Sequence, residues 1–250
     1  MSDALPPIET PIEAGLEGRL VRRYKRFLAD VALPDGREIT VHCPNPGRML
    51  GTQTPGSPVR CSTHDDPRRK LRHTLEMIRV GPVWVGLHAA RANAVAAAAL
   101  AGGALAPFAG APKIEREVPA PEGSRFDFRL TRADARPEAD AALAPATCWI
   151  EVKSVTLCAD RRARFPDAVT ARGRRHLEHL ETRVAAGERA ALLFVVQRID
   201  ADSVAPADDI DPAYGAALRR AASRGVELHA LSVEVTPTAL RLARRLPVLL

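Results

Sequence analysis

The sequence has few cysteines, and their spacing does not match a zinc site. Cys43, Cys61, Cys148 and Cys158 form no CxxC pair, and no histidine pair follows them at zinc-finger spacing. Four scattered thiols in 250 residues also do not make the disulfide framework of a small secreted domain. We therefore expect reduced thiols, a cytoplasmic location and no structural zinc ion.

From composition we expect neither a leader peptide nor a membrane span. Its first fifteen residues contain acids and prolines where a signal peptide needs a basic start and an apolar run. Residues 94–112 carry no charge, but they are mostly Ala and Gly with two prolines. We predict a buried helix followed by a loop there, and no membrane partner.

Lysine is rare, with 4 Lys among the 36 Lys+Arg residues, and aromatic residues make up only 4%. The 46% hydrophobic and 26% charged residues are ordinary globular values, which excludes a disordered chain, a collagen and a coiled-coil rod. The net charge of +6 favours an acidic partner such as nucleic acid. Because Arg serves wherever diffuse positive charge is enough, each remaining Lys suggests a need for a compact, movable ammonium.

Short strands and turns dominate the first third of the chain. Residues 19–34 and 37–44 are predicted to form the arms of a β-hairpin, joined by an Asp-Gly turn. Further short strands are predicted at 59–63 and 76–80. Several short strands with regular turns are typical of a small barrel.

Beyond residue 82 the pattern changes to strands that alternate with helices. The apolar run 191–199 is typical of a strand covered on both faces. Gln197 near its end is predicted to enter solvent, and the alternative is a polar residue near a metal site. This alternation predicts an α/β domain with a mixed sheet. We therefore predict two domains, 1–82 and 83–250. The predicted helices of the second domain are 90–100, 168–186 and 212–224.

The string WIEVKSV, residues 149–155, holds the residues that point most directly to chemistry. In an extended strand Glu151 and Lys153 project from the same face. Asp127 lies on the preceding strand, and if the two strands pair, its carboxylate converges with that of Glu151. Such hard oxygen ligands suit Mg²⁺ or Mn²⁺. We predict catalytic roles for all three residues, with Lys153 positioning water or neutralising the phosphate.

The spacing of Asp127 to Glu151-Val152-Lys153 resembles the core of the PD-(D/E)xK nuclease superfamily. The whole chain resembles the sugar fermentation stimulation protein (SfsA) family. The resemblance implies an OB-like N-terminal β-barrel, a nuclease-like mixed-sheet domain, DNA binding and a link to sugar (maltose) metabolism. The segments that carry it, in the family's order, are RYKRFLADV (23–31), HCPNPGRM (42–49), SRFDF (124–128), IEVKSVTL (150–157), FPDAVTARGRRHL (165–177) and RRLPVLL (244–250).

One position departs from the superfamily pattern. The superfamily often places a further Glu on the helix before the Asp strand, but 90–100 carries no acid. Either Glu117 supplies the third carboxylate or the metal site is one ligand short, and the backbone carbonyl of Val152 is a further candidate ligand. The two alternatives are a metal-dependent nuclease and a DNA-binding regulator whose nuclease fold has lost turnover.

Two basic segments are candidates for nucleic-acid binding. Residues 19–27 contain five cations, no acid and two aromatic rings, as a single-strand or OB-type binder needs. Arg172 and His176 lie four residues apart, on one face of a helix, and either contact phosphate, support the residues of the metal site or form a solvated surface. We expect a DNA partner without sequence specificity, and the sequence does not separate single from double strands. The predicted contacts are Arg22, Arg23, Tyr24, Lys25, Arg26, Arg172 and His176.

Overall fold

The structure is a computed structural model that describes residues 5–105, 113–120, 123, 125–131 and 147–250. The predicted loop at the end of 94–112 and Ser124 of the SRFDF segment fall outside these ranges. No helix within them is both long and apolar enough to cross a membrane.

The N-terminal sheet closes into an OB-like barrel, as predicted. Its strands follow β1 (Glu9–Pro11) in the chain and are β2 (Leu16–Tyr24), β3 (Leu28–Ala32), β4 (Glu38–His42), β5 (Pro58–Thr63), β6 (His73–Val80) and β7 (Val83–Gly86). Their order is β4-β3-β2-β5-β6-β7, and β4 also pairs with β6 between His42 and Thr74. This last pairing makes β2 to β6 a closed ring. Leu20, Val31 and Val59 fill its interior and are fully buried.

The prediction of one strand over 19–34 is wrong. β2 ends at Tyr24, and β3 returns antiparallel beside it with Leu28 opposite Tyr24. The chain reverses through Lys25 and Arg26, whose φ angles of 46° and 65° lie in the left-handed region. Because side chains other than Gly rarely adopt this backbone, the alternating pattern gave no sign of the turn.

The second sheet is mixed and has seven strands. Within the described residues the remaining strands are β8 (Lys113–Pro119), β9 (Arg125–Thr131), β10 (Thr147–Val155), β11 (Cys158–Ala159), β12 (Arg162–Phe165), β13 (Arg189–Val196), β14 (Ser203–Pro206), β15 (Glu227–Val235) and β16 (Ala239–Arg245). The sheet order is β1-β16-β15-β13-β10-β9-β8, with β10, β13 and β15 parallel to each other. β11, β12 and β14 form a separate small sheet. The predicted mixed-sheet α/β architecture is thus confirmed.

Helices cover both faces of the mixed sheet. The three helices of the described residues, close to those predicted, are α1 (Arg91–Ala101), α2 (Ala171–Ala185) and α3 (Pro212–Ser223). Ile150 and Val152 of β10 pack in the same cluster as α1, whereas Trp149 and Val155 pack with α2 and α3. Since side chains alternate along a strand, residues 151 and 153 face α2.

The barrel and the mixed sheet meet where β7 passes the end of β13. The backbone N–H of Gly86 donates to the carbonyl of Gln197 at 2.9 Å, and the Gln197 side chain donates to Ser154 Oγ at 2.7 Å. Gln197 is only 1% exposed, so the prediction that it enters solvent is wrong. The barrel covers this strand end, which sequence periodicity does not reveal. The first sheet runs on through β7 to Gly86, and the domain boundary near residue 82 stays a prediction.

Candidate functional site

Two neighbouring strands bring the predicted acidic residues together. β9 and β10 pair antiparallel, so that Asp127 comes beside Glu151 where the ladder of backbone hydrogen bonds ends. There the Asp127 carboxylate takes the place of a strand partner: its Oδ2 accepts the backbone N–H of Val152 at 2.7 Å. Its Oδ1 accepts a hydrogen bond from Asn93 Nδ2 at 2.6 Å. Both carboxylate oxygens are therefore held in place.

Asp127 and Glu151 lie in a cleft between the barrel and the mixed sheet, which we call the Asp127–Glu151 cleft. Its volume is about 590 Å³. The barrel contributes Arg26 and the loop 45–47, which we call the wall loop. The lining residues of the other domain that bear on the chemistry are Asn93, Asp127, Glu151, Val152, Lys153, Arg164, Asp167, Val169, Arg172 and His176.

Lys153 and His176 hold the Glu151 carboxylate. Lys153 Nζ donates to Glu151 Oε1 at 2.6 Å, and the two side chains are only 10% and 6% exposed. His176 Nδ1 contacts the same oxygen, and Arg172 Nε donates to His176 Nε2 at 3.2 Å. Because a guanidinium only donates, Nε2 is the acceptor and we assign the proton of the neutral ring to Nδ1. His176 therefore orients Glu151 from inside the cleft, and Arg172 is the exposed member of the pair.

The two carboxylates have pKa values shifted in opposite directions. Burial raises the pKa of Asp127, and the negative charge of Glu151 raises it further. The two hydrogen bonds that Asp127 accepts act in the opposite direction, and the resulting pKa is about 6. Burial also acts to raise the pKa of Glu151, but Lys153 and His176 outweigh it and hold that pKa below its ordinary value. Glu151 is thus charged at neutral pH, and Asp127 is the carboxylate more readily protonated.

A divalent cation fits this set of donors. The buried carboxylate of Glu151 beside the half-buried carboxylate of Asp127 calls for more positive charge than Lys153 supplies. Mg²⁺ takes hard oxygen ligands, few of them from protein and the rest from water and phosphate. Val152, whose carbonyl is the predicted further ligand, lines the same cleft. In the described part of the chain no three His, Cys, Asp or Glu side chains group to hold a metal, so the protein offers two carboxylates.

Glu117, the other predicted ligand, is not brought to the cleft. β8 is the edge strand, separated from β10 by β9. The Glu117 side chain is 58% exposed and lies 3.8 Å from Arg125. Its φ of 52° is left-handed, so the strand is irregular at this residue. The third carboxylate predicted here is not in the site.

Asn93 on α1 stands beside Asp127 instead, at the helix where the superfamily often carries Glu. The sequence analysis missed it. The available signal was one uncharged polar side chain in an otherwise Ala-rich helix. Its amide supplies a hydrogen-bond donor to Asp127 and no further negative charge.

Three of the predicted nucleic-acid contacts have structural roles. Arg22 Nε and Tyr24 OH both donate to the buried Asp30 carboxylate, at 2.8 and 3.0 Å. The Arg22 guanidinium also lies 4.8 Å from the centre of the Tyr24 ring. Arg22 remains 67% exposed, so only part of its surface is used in this way. The Tyr24 hydroxyl belongs to the barrel rather than to a stacking surface.

Arg23 fastens the wall loop. Its Nη2 donates to the backbone carbonyls of Arg26, Asn45 and Gly47, at 2.7, 2.8 and 2.8 Å. Its Nη2 is thus occupied by backbone oxygens, which gives Arg23 a structural role in holding the loop. Lys25 and Arg26, by contrast, are exposed in the left-handed turn, and Arg26 lines the cleft.

Asp167 fastens the same loop from the opposite domain. Its Oδ2 accepts the backbone N–H of Met49 at 2.8 Å, across 118 residues of sequence. A Cβ at Gly47 would lie 2.4 Å from this oxygen, so only glycine fits there without a shift. The sequence analysis missed this contact, because no spacing rule joins two segments so far apart.

Comparison with known proteins agrees with this architecture. Residues 21–87 match the family described as the SfsA N-terminal OB domain, and residues 90–239 match the sugar fermentation stimulation protein RE domain. A solved structure, SfsA of Pyrococcus furiosus in complex with Ca²⁺, covers 96% of this chain and 98% of that one. Its TM-score is 0.82 at 22% sequence identity, so it supports the fold.

Curated relatives extend the match over nearly the full length. A sugar fermentation stimulation protein homolog of Rhodospirillum rubrum is 48% identical over 226 residues, which is 89% of this chain and 91% of that protein. The homolog of Desulfotalea psychrophila is 44% identical over 232 residues, 93% of this chain and 91% of that protein. Together with the family matches, these identities show that the chain belongs to the sugar fermentation stimulation protein (SfsA) family.

Proposed function

We propose that the chain is a cytoplasmic DNA-binding protein that hydrolyses phosphodiester bonds in the Asp127–Glu151 cleft with Mg²⁺ or Mn²⁺. The observation that carries the proposal is the convergence of the half-buried Asp127 carboxylate and the buried Glu151 carboxylate with the buried ammonium of Lys153. Buried groups with shifted pKa values in a cleft are typical of catalytic sites. The name of its relatives, sugar fermentation stimulation protein homolog, supports a link between this activity and sugar metabolism.

A divalent cation is part of the proposal. The Pyrococcus furiosus relative is described in complex with Ca²⁺, which like Mg²⁺ binds oxygen ligands. We infer that Asp127 and Glu151 hold the cation, with the Val152 carbonyl as the further candidate. When bound, such a cation would supply positive charge that polarises the phosphoryl group.

The side chains around the cleft bind the phosphates and orient Glu151. Lys153 Nζ, fixed by Glu151, donates to a phosphate oxygen and neutralises charge that develops in the transition state. His176 keeps Glu151 in one orientation. Arg26 and Arg172, exposed on opposite sides of the cleft, bind the flanking phosphates. Because binding rests on phosphate contacts, it is independent of sequence and weakens steeply with salt.

The test is cleavage of DNA by the purified chain. Supercoiled duplex and circular single-stranded DNA are incubated with Mg²⁺, Mn²⁺ or EDTA. We expect metal-dependent cleavage that Lys153→Ala lowers by about 100-fold or more, because a positioned charged donor is lost. Gel retardation at low salt should change little in this variant.

Lys70→Ala is the matched control, since Lys70 is an exposed lysine outside the cleft. It should cleave as the unchanged protein does. Equal cleavage by Lys153→Ala would assign the activity to another site or to a contaminant. A parallel loss of binding and cleavage would show that Lys153 serves to bind the DNA and not specifically to stabilise the transition state.

A second function is favoured by the missing third carboxylate. Glu117 lies outside the cleft, and Asn93 stands where a further acid is often found. Such a site suits a DNA-binding regulator without turnover. Retardation of DNA with no cleavage in any metal, and no heat of Mg²⁺ or Mn²⁺ binding at millimolar concentration in calorimetry, would support this function instead.

A further inference from the structure

Two of the exposed apolar side chains lie in or directly beside the residues that line the cleft. In the described ranges four large apolar side chains are exposed: Phe27, Val169, Leu249 and Leu250. Val169 is 71% exposed and lines the Asp127–Glu151 cleft. Phe27 is 43% exposed and directly follows Arg26, which also lines it. Apolar groups grouped beside a charged cleft indicate a ligand with an apolar part.

The backbone keeps Phe27 next to the wall loop. Its carbonyl accepts the N–H of Cys43 at 2.8 Å, and the chain enters the wall loop two residues later. The preceding turn holds Lys25 and Arg26 in left-handed backbone. An aromatic ring beside two exposed cations is the arrangement with which proteins bind unpaired strands, because every base has a flat face that stacks on a ring.

The cleft is small, and its wall on the barrel side is held by hydrogen bonds. The wall loop is held by Arg23 and, through Met49, by Asp167. The volume of about 590 Å³ lies within the range of small-molecule sites, roughly 300 to 1,000 Å³. In a duplex the second strand lies across a groove about 6 to 12 Å wide. A site for duplex DNA must therefore have room for both strands. Glu151 and Lys153 are also more than nine-tenths buried, so a phosphate must enter the cleft to reach them.

We propose that the cleft takes an unpaired polynucleotide strand and that the wall loop keeps a duplex out. A base stacks on Phe27, Val169 contacts the strand from the other wall, and Arg26 and Arg172 bind its phosphates. The inference rests on the proposed function, because it assigns the substrate class of the same site. DNA and RNA strands share this chemistry.

Binding without cleavage tests the inference separately from the nuclease. Anisotropy of labelled 12-nucleotide DNA, 12-nucleotide RNA and a 12-base-pair duplex is measured with the full chain in EDTA. We expect the unpaired strands to bind about tenfold more tightly than the duplex, and Phe27→Ala to weaken only the unpaired strands by about tenfold. Phe27→Trp should restore binding. Leu249→Ala is the matched control, since Leu249 is also 43% exposed, whereas neither it nor its sequence neighbours line the cleft as Arg26 does beside Phe27.

The wall is tested by Gly47→Ala, whose new methyl displaces the Asp167 carboxylate. We expect the preference for unpaired strands to fall severalfold as the duplex gains access. Equal binding of duplex and unpaired strands by the unchanged chain, or an equal loss for both in Phe27→Ala, would overturn the inference. A retained single-strand preference without metal-dependent cleavage would overturn only the nuclease. Tighter binding of the RNA strand would support the inference with RNA as the strand.

Discussion

The barrel and the cleft each hold a carboxylate whose pKa is strongly shifted, and the two shifts have opposite directions. In the barrel, Glu76 on β6 accepts hydrogen bonds from Ser62, His88 and twice from Arg91, at 2.8 to 3.2 Å. Its side chain is only 1% exposed. Burial acts to raise its pKa, but the bonds from His88 and Arg91 outweigh this and lower it to about 2. The charged carboxylate of Glu76 thus has hydrogen-bond donors to both of its oxygens.

In the cleft, the pKa of Asp127 is raised to about 6 by burial and by Glu151. Burial acts to raise the pKa at both sites, so burial alone does not decide the sign of the shift. The difference lies in the neighbours: Glu76 is surrounded by donors and cations, whereas Asp127 faces a second carboxylate. A fold that leaves negative charge uncompensated in a cleft retains a site for a cation, at a cost in stability.

The largest expected effect comes from Glu76→Ala. Removing the carboxylate leaves Arg91 and His88 without their partner and opens a hole between barrel and α1, so we expect a loss of about 3 to 5 kcal/mol in the free energy of unfolding. Urea unfolding at pH 7 measures it. DNA cleavage per folded molecule should be unchanged, because Glu76 does not line the cleft.

The pH dependence checks the cause of this loss. The folded pKa of about 2 lies below the ordinary value of 4.5, so Glu76 stabilises the fold above pH 4.5 and loses this effect as pH falls towards 2. The gap between the unchanged protein and Glu76→Ala should therefore narrow in acid. A gap that stays constant down to pH 3 would assign the loss to packing.

Asp127→Asn should raise the free energy of unfolding, by less than Glu76→Ala lowers it. The substitution removes the repulsion with Glu151, and rotation of the Asn93 amide lets it pair with the new amide. We expect a gain of about 1 to 2 kcal/mol in unfolding free energy at pH 8, together with loss of cleavage. Since the folded pKa is raised, the penalty appears as pH rises through about 6, and the gain should vanish below pH 4.

Asp30→Asn is the control for this substitution. Asp30 is buried too, but it accepts bonds from Arg22, Tyr24 and Thr40, and although burial opposes them its pKa is lowered. The same change from Asp to Asn should therefore destabilise the barrel at neutral pH. A gain in stability from both variants would show that the neighbours do not set the sign.

The parts of this comparison that follow from local pattern were predictable. The two-residue period of a strand put Glu151 and Lys153 on one face, and strand pairing put Asp127 beside them. The pattern failed where tertiary contacts decide. Arg23 looked like a phosphate contact until its carbonyl partners were placed around it. The tie between Asp167 and the wall loop spans more than a hundred residues, and no periodicity joins them.

The smallest expected effect is stabilisation of the fold by a metal ion. It tests whether a cation relieves the repulsion between Asp127 and Glu151. At a concentration about ten times its dissociation constant, Mg²⁺ or Mn²⁺ should stabilise the fold by about 1.4 kcal/mol, a rise in Tm of roughly 3 to 6 °C. The rise should be present at pH 8 and nearly absent at pH 5, because below about 6 Asp127 holds a proton that competes with the metal. Thermal unfolding at both pH values, with Asp127→Asn alongside, measures it. An equal rise in that variant would place the cation elsewhere, and an equal rise at both pH values would separate cation binding from the titration of Asp127.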